Sequence, residues 1–405
     1  MVVLMYLTRE EERILKGDEG EARARALEVI VKVGEALGAP RLQPIVHAHV
    51  SGVSYNNIGE PGRRLIEDLA SMGARFSVPT TVNPVGFDLE SPQASDLVAV
   101  PREVEEGQRA ITAALLRMGA ALTLTCTPYY IPSVRSLRPG DSVAWGESNA
   151  VVYANSVLGL RTNREGGPVA LMAAIAGRTY YYGMHTPEGR LPRVAYRLEA
   201  PDGYRLDYAR AAALGELLAR LHRSEGPPML MAPIDAERFK ELGAAVGAEG
   251  DIAMVFVPGL TPERPPERLE AVETLDYREV EDELESKRLD DVDIVYIGCP
   301  HASHEEIEEL ARLLSRLRPR PHRPGLLITT SRLEESRVSA EAMKVLREYG
   351  AVILRDTCLV VSSLRSRGLR VATYSYKALF YLSRRGLKVG LESMEDLAMR
   401  LGERR

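Results

Sequence analysis

Apolar residues recur along this chain in two rhythms. Segments with apolar positions three and four apart, one face of a helix, alternate with short unbroken apolar runs of strand length. Thr8, with Glu11 three residues on, predicts a capping box that opens the helix "EEERILKG". A second helix is expected to run to about Leu37, where Gly38 can take the left-handed stop. A loop rich in Gly, Ser and Asn, "HVSGVSYNNIGEPG", precedes the helix "RRLIEDLASM". The stretches "SMGARFSV", "RMGAALTLT" and "EYGAVILR" then share one pattern: a helix end, a capping Gly and a short β-run. With "VDIVYIG" and "LLIT", the pattern predicts an α/β protein with largely parallel sheets.

At 405 residues the chain is too long for one compact core, which implies two or three α/β units. Proline-rich tracts at "SEGPPML" (224–230) and "GLTPERPPERLE" (259–270) are the best boundaries. The expected division is an N-terminal lobe over 1–226 and a C-terminal lobe over 227–405. A formal net charge of −5 gives no basic surface for nucleic acid. No apolar run reaches membrane-span length, and the start turns charged within ten residues, so neither a membrane anchor nor a signal peptide is expected. Abundant Arg and Glu lean towards a thermophile's composition.

Three cysteines, an odd number widely spaced, argue against a disulfide framework and for a reducing cytoplasm. Cys126, Cys299 and Cys358 are each expected at or just past the carboxyl end of a strand, where ligand sites form in open α/β sheets. A lone free cysteine is often just a small buried hydrophobe. Three in such loops call for more. Ser303 and Glu306 predict a capping box, and the helix that follows would bring first-turn amides near Cys299 and favour a thiolate. One alternative is a zinc site of Cys299, His301 and His304, although the usual ligand spacing is absent. Another is a cluster held by three thiolates. Its fourth iron would stay open, a Lewis acid for a departing hydroxide.

The motifs "HVSGVSYNNIGEPG", "TTVNPVGFD", "TCTPYY", "WGESNAVVYANSVLG", "GCPHAS", "RDTC" and "TYSYKALFY", in this order over essentially the whole chain, resemble the aconitase X family. The resemblance implies a multi-lobed, aconitase-like α/β architecture with largely parallel sheets around a central cleft. It implies a [4Fe-4S] cluster on Cys126, Cys299 and Cys358 with one open iron site. For an archaeal subgroup the reaction implied is dehydration of (R)-5-phosphomevalonate to trans-anhydromevalonate 5-phosphate, a mevalonate-route step; other members dehydrate cis-3-hydroxyproline. The small swivelling domain of the family has no room here and is expected as a separate subunit carrying the serine base. "SSLRSRG" (362–368) is the nearest local match to that base, but it follows Cys358 too closely.

By resemblance, Gly52, Val53 and Ser54 contact substrate; a plain turn is the alternative. Asn83 and Pro84 reach the same sheet edge, though Asn-Pro also opens ordinary turns. Glu147 and Ser148 precede a helix nearly apolar on every side from Ala150 to Leu158, which puts a carboxylate at a covered N-terminus. That glutamate is either a helix cap or a substrate ligand, and the resemblance favours the ligand, with a proton-relay role. Lys377, among Tyr374, Tyr376 and Phe380, is suited to a carboxylate or phosphate; a snorkelling surface lysine is the alternative. His49 is a lesser candidate for proton transfer. Glu147 and Lys377 are the expected catalytic pair.

Overall fold

The computed structural model describes residues 5–92, 97–364 and 368–404. The local signals at the start act as read. Thr8 and Glu11 close the capping box of helix Arg9–Leu15, and helix Glu21–Leu37 ends at Gly38 with φ +77°. Among the described residues no helix is long and apolar enough to cross a membrane.

Three parallel sheets organise the chain. The first has strand His47–Val50 between Thr80–Val82 and Val143–Trp145. The second has Val194–Glu199 between Met229–Met231 and Ala271–Asp276. The third has five strands, ordered Val352–Arg355, Gly325–Thr330, Ile294–Ala302, Arg370–Thr373 and Lys388–Leu391. Parallel strands need covered faces, and helices supply the cover. The second sheet joins strands from either side of residue 226. Its helices Tyr208–Leu221 and Ala236–Glu249 are buried along nearly their whole length.

The sheets do not have separate cores. One apolar cluster runs from Tyr129 and Val151 through Leu214 and Phe239 to Leu391, so all three segments share it. The carboxyl edges of the first and third sheets face each other: Glu147, two residues past Trp145, pairs with Lys377, four past Thr373.

Of the three helix–Gly–strand predictions, "EYGAVILR" forms its strand at once, as Val352–Arg355. "SMGARFSV" leaves its glycine at φ +81°, and the strand starts only at Thr80. "RMGAALTLT" forms no strand, making one bridge at Ala121 before Leu124 turns to φ +44°. Cys126 therefore ends a loop, and Cys299 lies within its strand, where the pairing with Gly325–Thr330 slips between Ile297 and Ala302.

Candidate active site

Each side chain of the site leaves a sheet edge or a helix start. Past Val50 the chain turns at Gly52, whose φ of +68° suits glycine. The turn lies against two other glycines. A Cβ on Gly167 would stand 2.5 Å from the Ser51 carbonyl oxygen, and one on Gly146 2.5 Å from Ser51 Oγ. Val53 and Ser54 are buried. Gln108 donates to the Val53 carbonyl at 2.9 Å, and the Ser54 hydroxyl donates to that of Val361 at 2.7 Å, tying this turn to the Cys358 loop. Pro84 is buried beside Asn83.

Glu147 is the N-cap residue of helix Ser148–Ser156, yet its side chain makes no capping bond. It pairs instead with Lys377 Nζ, and its other oxygen accepts from Asn83 Nδ2 at 2.7 Å. His49 Nε2 lies 3.0 Å from Asn83 Oδ1, the oxygen left to accept, so a chain of bonds runs from His49 through Asn83 to Glu147. Lys377 is buried and is also 2.5 Å from Asn149 Oδ1. Asn149 donates in turn to the Cys126 carbonyl at 2.8 Å. Ser148 adds only a 3.5 Å contact to Glu147.

Charges follow from these contacts. Burial opposes ionisation of Glu147, but Lys377, Asn83 and His49 outweigh it and hold the carboxyl below its usual value. Burial likewise opposes a charged Lys377; Glu147 and the sulfurs of Cys299 and Cys126 reverse that and raise it. The pair is a carboxylate and an ammonium. His49 is pushed down to about 4 by burial, so its imidazole is neutral.

Cys126, Cys299 and Cys358 are free and buried. Burial pushes Cys126 up to about 12; Glu147 and Cys358 add to the rise, while Lys377 and the His301 N–H oppose it. Burial also raises Cys299, with both other thiols contributing, and Lys377 opposes this. Cys358 is raised by burial and lowered by the amides of Val361 and Val360 and by Lys377. The three sulfurs, from residues up to 232 positions apart along the chain, and the Lys377 ammonium thus share one neighbourhood. The His301 N–H donates to Cys126 Sγ at 3.1 Å. His301 Nδ1 and Thr357 Oγ1 are buried nearby without partners. A buried set of three soft donors with an amide on one sulfur fits an iron–sulfur group.

The alternative zinc trio of Cys299, His301 and His304 does not assemble. Among the described residues, donor atoms of three or more such side chains lie within 4.8 Å of one another only at His304, Glu305 and Glu334. His301 Nε2 faces the Thr357 carbonyl at 2.9 Å, while His304, first in the helix after Ser303, turns to Glu334 at 2.8 Å. The strand and the helix start aim the two imidazoles at different partners. Of "SSLRSRG", residues 365–367 lie outside the described residues. A cavity of about 950 Å³, lined by Tyr182, Met184, Arg193 and His222 among others, includes none of the site residues.

Sequence reasoning missed Asn149, although its place after "WGES" signals a polar side chain in an otherwise apolar helix. It also missed Gln108, which looks like any exposed helix residue.

The aconitase X first domain matches residues 4–188, the second 192–291 and the third 292–402. The chain is 54% identical over 404 residues to the phosphomevalonate dehydratase large subunit of Aeropyrum pernix, covering 97% of this chain and 99% of that one. It is 32% identical to the cis-3-hydroxy-L-proline dehydratase of Pseudomonas aeruginosa, across 96% of this chain and 69% of that one. The crystal structure of Thermococcus kodakaraensis aconitase X in its holo-form matches with a TM-score of 0.87 and 38% identity, over 98% of this chain and all of that one. With all three domains matched in order and the parallel sheets shared, the chain belongs to the aconitase X family.

Proposed function

We propose that this chain is the large subunit of an iron–sulfur hydro-lyase that dehydrates (R)-5-phosphomevalonate to trans-anhydromevalonate 5-phosphate, a step of the archaeal mevalonate route. The observation that carries the reading is three buried thiols beside the Glu147–Lys377 pair, in a chain aligned end to end with a phosphomevalonate dehydratase large subunit. The hydroxyproline dehydratase is the more distant relative.

The net reaction breaks the C3–O bond, takes a proton from C2 and forms the double bond between them, releasing water. Cys126, Cys299 and Cys358 would hold a [4Fe-4S] cluster. When bound, such a cluster supplies an open iron as a Lewis acid for the leaving hydroxyl. Lys377, charged and poorly solvated, binds the substrate carboxylate or phosphate more strongly than a surface lysine does. Glu147, kept ionised by Lys377 and held by Asn83 with His49 behind it, accepts a hydrogen bond from the substrate hydroxyl and relays to that oxygen the proton taken from C2, so that it leaves as water. Gly52, Val53, Ser54, Asn83, Pro84 and Ser148 wall the substrate at the facing sheet edges. The base that removes the C2 proton is a serine of a small swivelling subunit; the words "large subunit" in the relatives' names support a small partner chain. Three free thiols fit a reducing cytoplasm.

The test is anaerobic reconstitution with iron and sulfide, with and without a candidate small subunit, assayed on phosphomevalonate and on cis-3-hydroxyproline. The expected result is turnover of phosphomevalonate only when both chains are present. Preferred turnover of hydroxyproline, or a colourless protein holding zinc, would sink the reading.

A further inference from the structure

Behind the site lies a second group of charges with no part in the scheme above. Lys240, Glu241 and Glu306 have fully buried side chains. Lys240 comes from helix Ala236–Glu249 of the middle segment, whereas Glu306 stands in the first turn of the helix after Cys299. Lys240 Nζ pairs with Glu306 Oε2 and donates to the His301 carbonyl at 3.3 Å. The same Glu306 oxygen accepts the Ser303 N–H at 2.7 Å, and the Ser303 hydroxyl donates to Glu237 at 2.5 Å. Glu241 Oε1 lies 3.7 Å from Lys240, beyond hydrogen-bond reach. One ammonium cannot neutralise two carboxylates in a sealed space. Burial and Glu306 raise Glu241 against the pull of Lys240.

The residue whose carbonyl Lys240 holds is the one whose N–H points at Cys126 Sγ. A hydrogen bond onto a ligating sulfur stabilises its negative charge and tunes the metal group it holds. We propose that Lys240 is a positioning residue: by clamping the 299–303 turn through the His301 carbonyl and Glu306, it keeps the His301 N–H on the Cys126 sulfur and sets the electronic state of the bound cluster. The clamp lets the middle segment, which supplies no cysteine, act on ligands from the other two. This inference rests on the iron–sulfur reading above.

The test uses the full chain reconstituted with iron and sulfide. K240M/E306Q removes one positive and one negative charge together, so the net charge near the cluster is unchanged and a spectral shift reports lost positioning. The amide that E306Q introduces still offers an oxygen to the Ser303 N–H. K240Q/E306Q retains an uncharged N–H donor. The expected result is that both variants fold, as judged by circular dichroism and thermal unfolding. K240M/E306Q then shows a more negative cluster midpoint potential and a displaced sulfur-to-iron charge-transfer band, with K240Q/E306Q intermediate. Loss of iron from folded K240M/E306Q but not from K240Q/E306Q supports the clamp equally. Should K240M/E306Q fail to fold, K240Q/E306Q alone carries the comparison with wild type. A folded, loaded variant with the wild-type potential and spectrum overturns the inference alone; a wild-type chain that takes up no iron overturns the iron–sulfur reading with it.

Discussion

Two buried lysines in this molecule each lie against a glutamate, and their surroundings differ in one respect. The Lys377–Glu147 pair stands where two sheet edges meet, with 13% of the Glu147 side chain still reached by solvent. The Lys240–Glu306 pair has no exposure at all. A pair at an opening can exchange its partner for a ligand, because the displaced charges meet a charged substrate or water. A sealed pair cannot, and removing one member strands the other in a medium that solvates it poorly. The first arrangement suits binding and proton transfer. The second suits holding backbone in place.

Four expected outcomes test this contrast. E147Q keeps the shape but loses the carboxylate, and kcat of the two-chain enzyme should fall by about 10²–10⁴-fold, in the range of a lost general acid–base group. Its thermal unfolding should barely move; a stable E147Q with full turnover breaks the assignment. K240M should cost about 3–5 kcal/mol of stability in urea titrations by leaving Glu306 unpaired. K377M should cost less, since Glu147 keeps Asn83 and some solvent. Equal costs for the two lysines would end the distinction.

The third concerns pH. Burial depresses His47 and His185 to about 3 and His49 to about 4, and His47 Nδ1 accepts from the Trp145 indole at 3.1 Å, as only a neutral ring can. The unfolded chain takes up these protons near pH 6.5 and the folded chain does not. Stability should therefore fall as pH drops from about 6.5 towards 4, by about 1.4 kcal/mol per unit for each histidine. A denaturation midpoint flat across that window would contradict it. The smallest effect is expected at Ser148, whose contact with Glu147 is 3.5 Å long. S148A should change stability by less than about 0.5 kcal/mol, read in the same urea titration; a larger loss would mean the hydroxyl supports the carboxylate after all.

The exposed-edge pair was more legible in the sequence than the sealed one, for a physical reason. Glu147 precedes a mostly apolar helix, and Lys377 sits among aromatic residues, so each charge stands out against its neighbours. Lys240 and Glu241 lie in "AERFKELG", which looks like an ordinary amphipathic helix with a solvated face. Only the packing of that helix against both flanking segments seals them, and no local pattern encodes it. Capping signals at Thr8, Gly38 and Ser303 were readable because their hydrogen bonds close within a few residues. The loop before Cys126 was not. "AALTLT" has strand-like composition but makes a single β-bridge, at Ala121, before Leu124 takes a left-handed turn. The lobe boundary drawn at 226 came from proline content, whereas the second sheet pairs strands from both sides of it.

Cys126 emerges from the ribosome long before Cys358, and the helix carrying Lys240 is made between them. The sulfurs can meet only after nearly the whole polypeptide has been translated and its third sheet assembled. A nascent or truncated chain lacks the complete set of three thiols. On the iron–sulfur reading proposed above, loading comes last and doubles as a check that synthesis has finished.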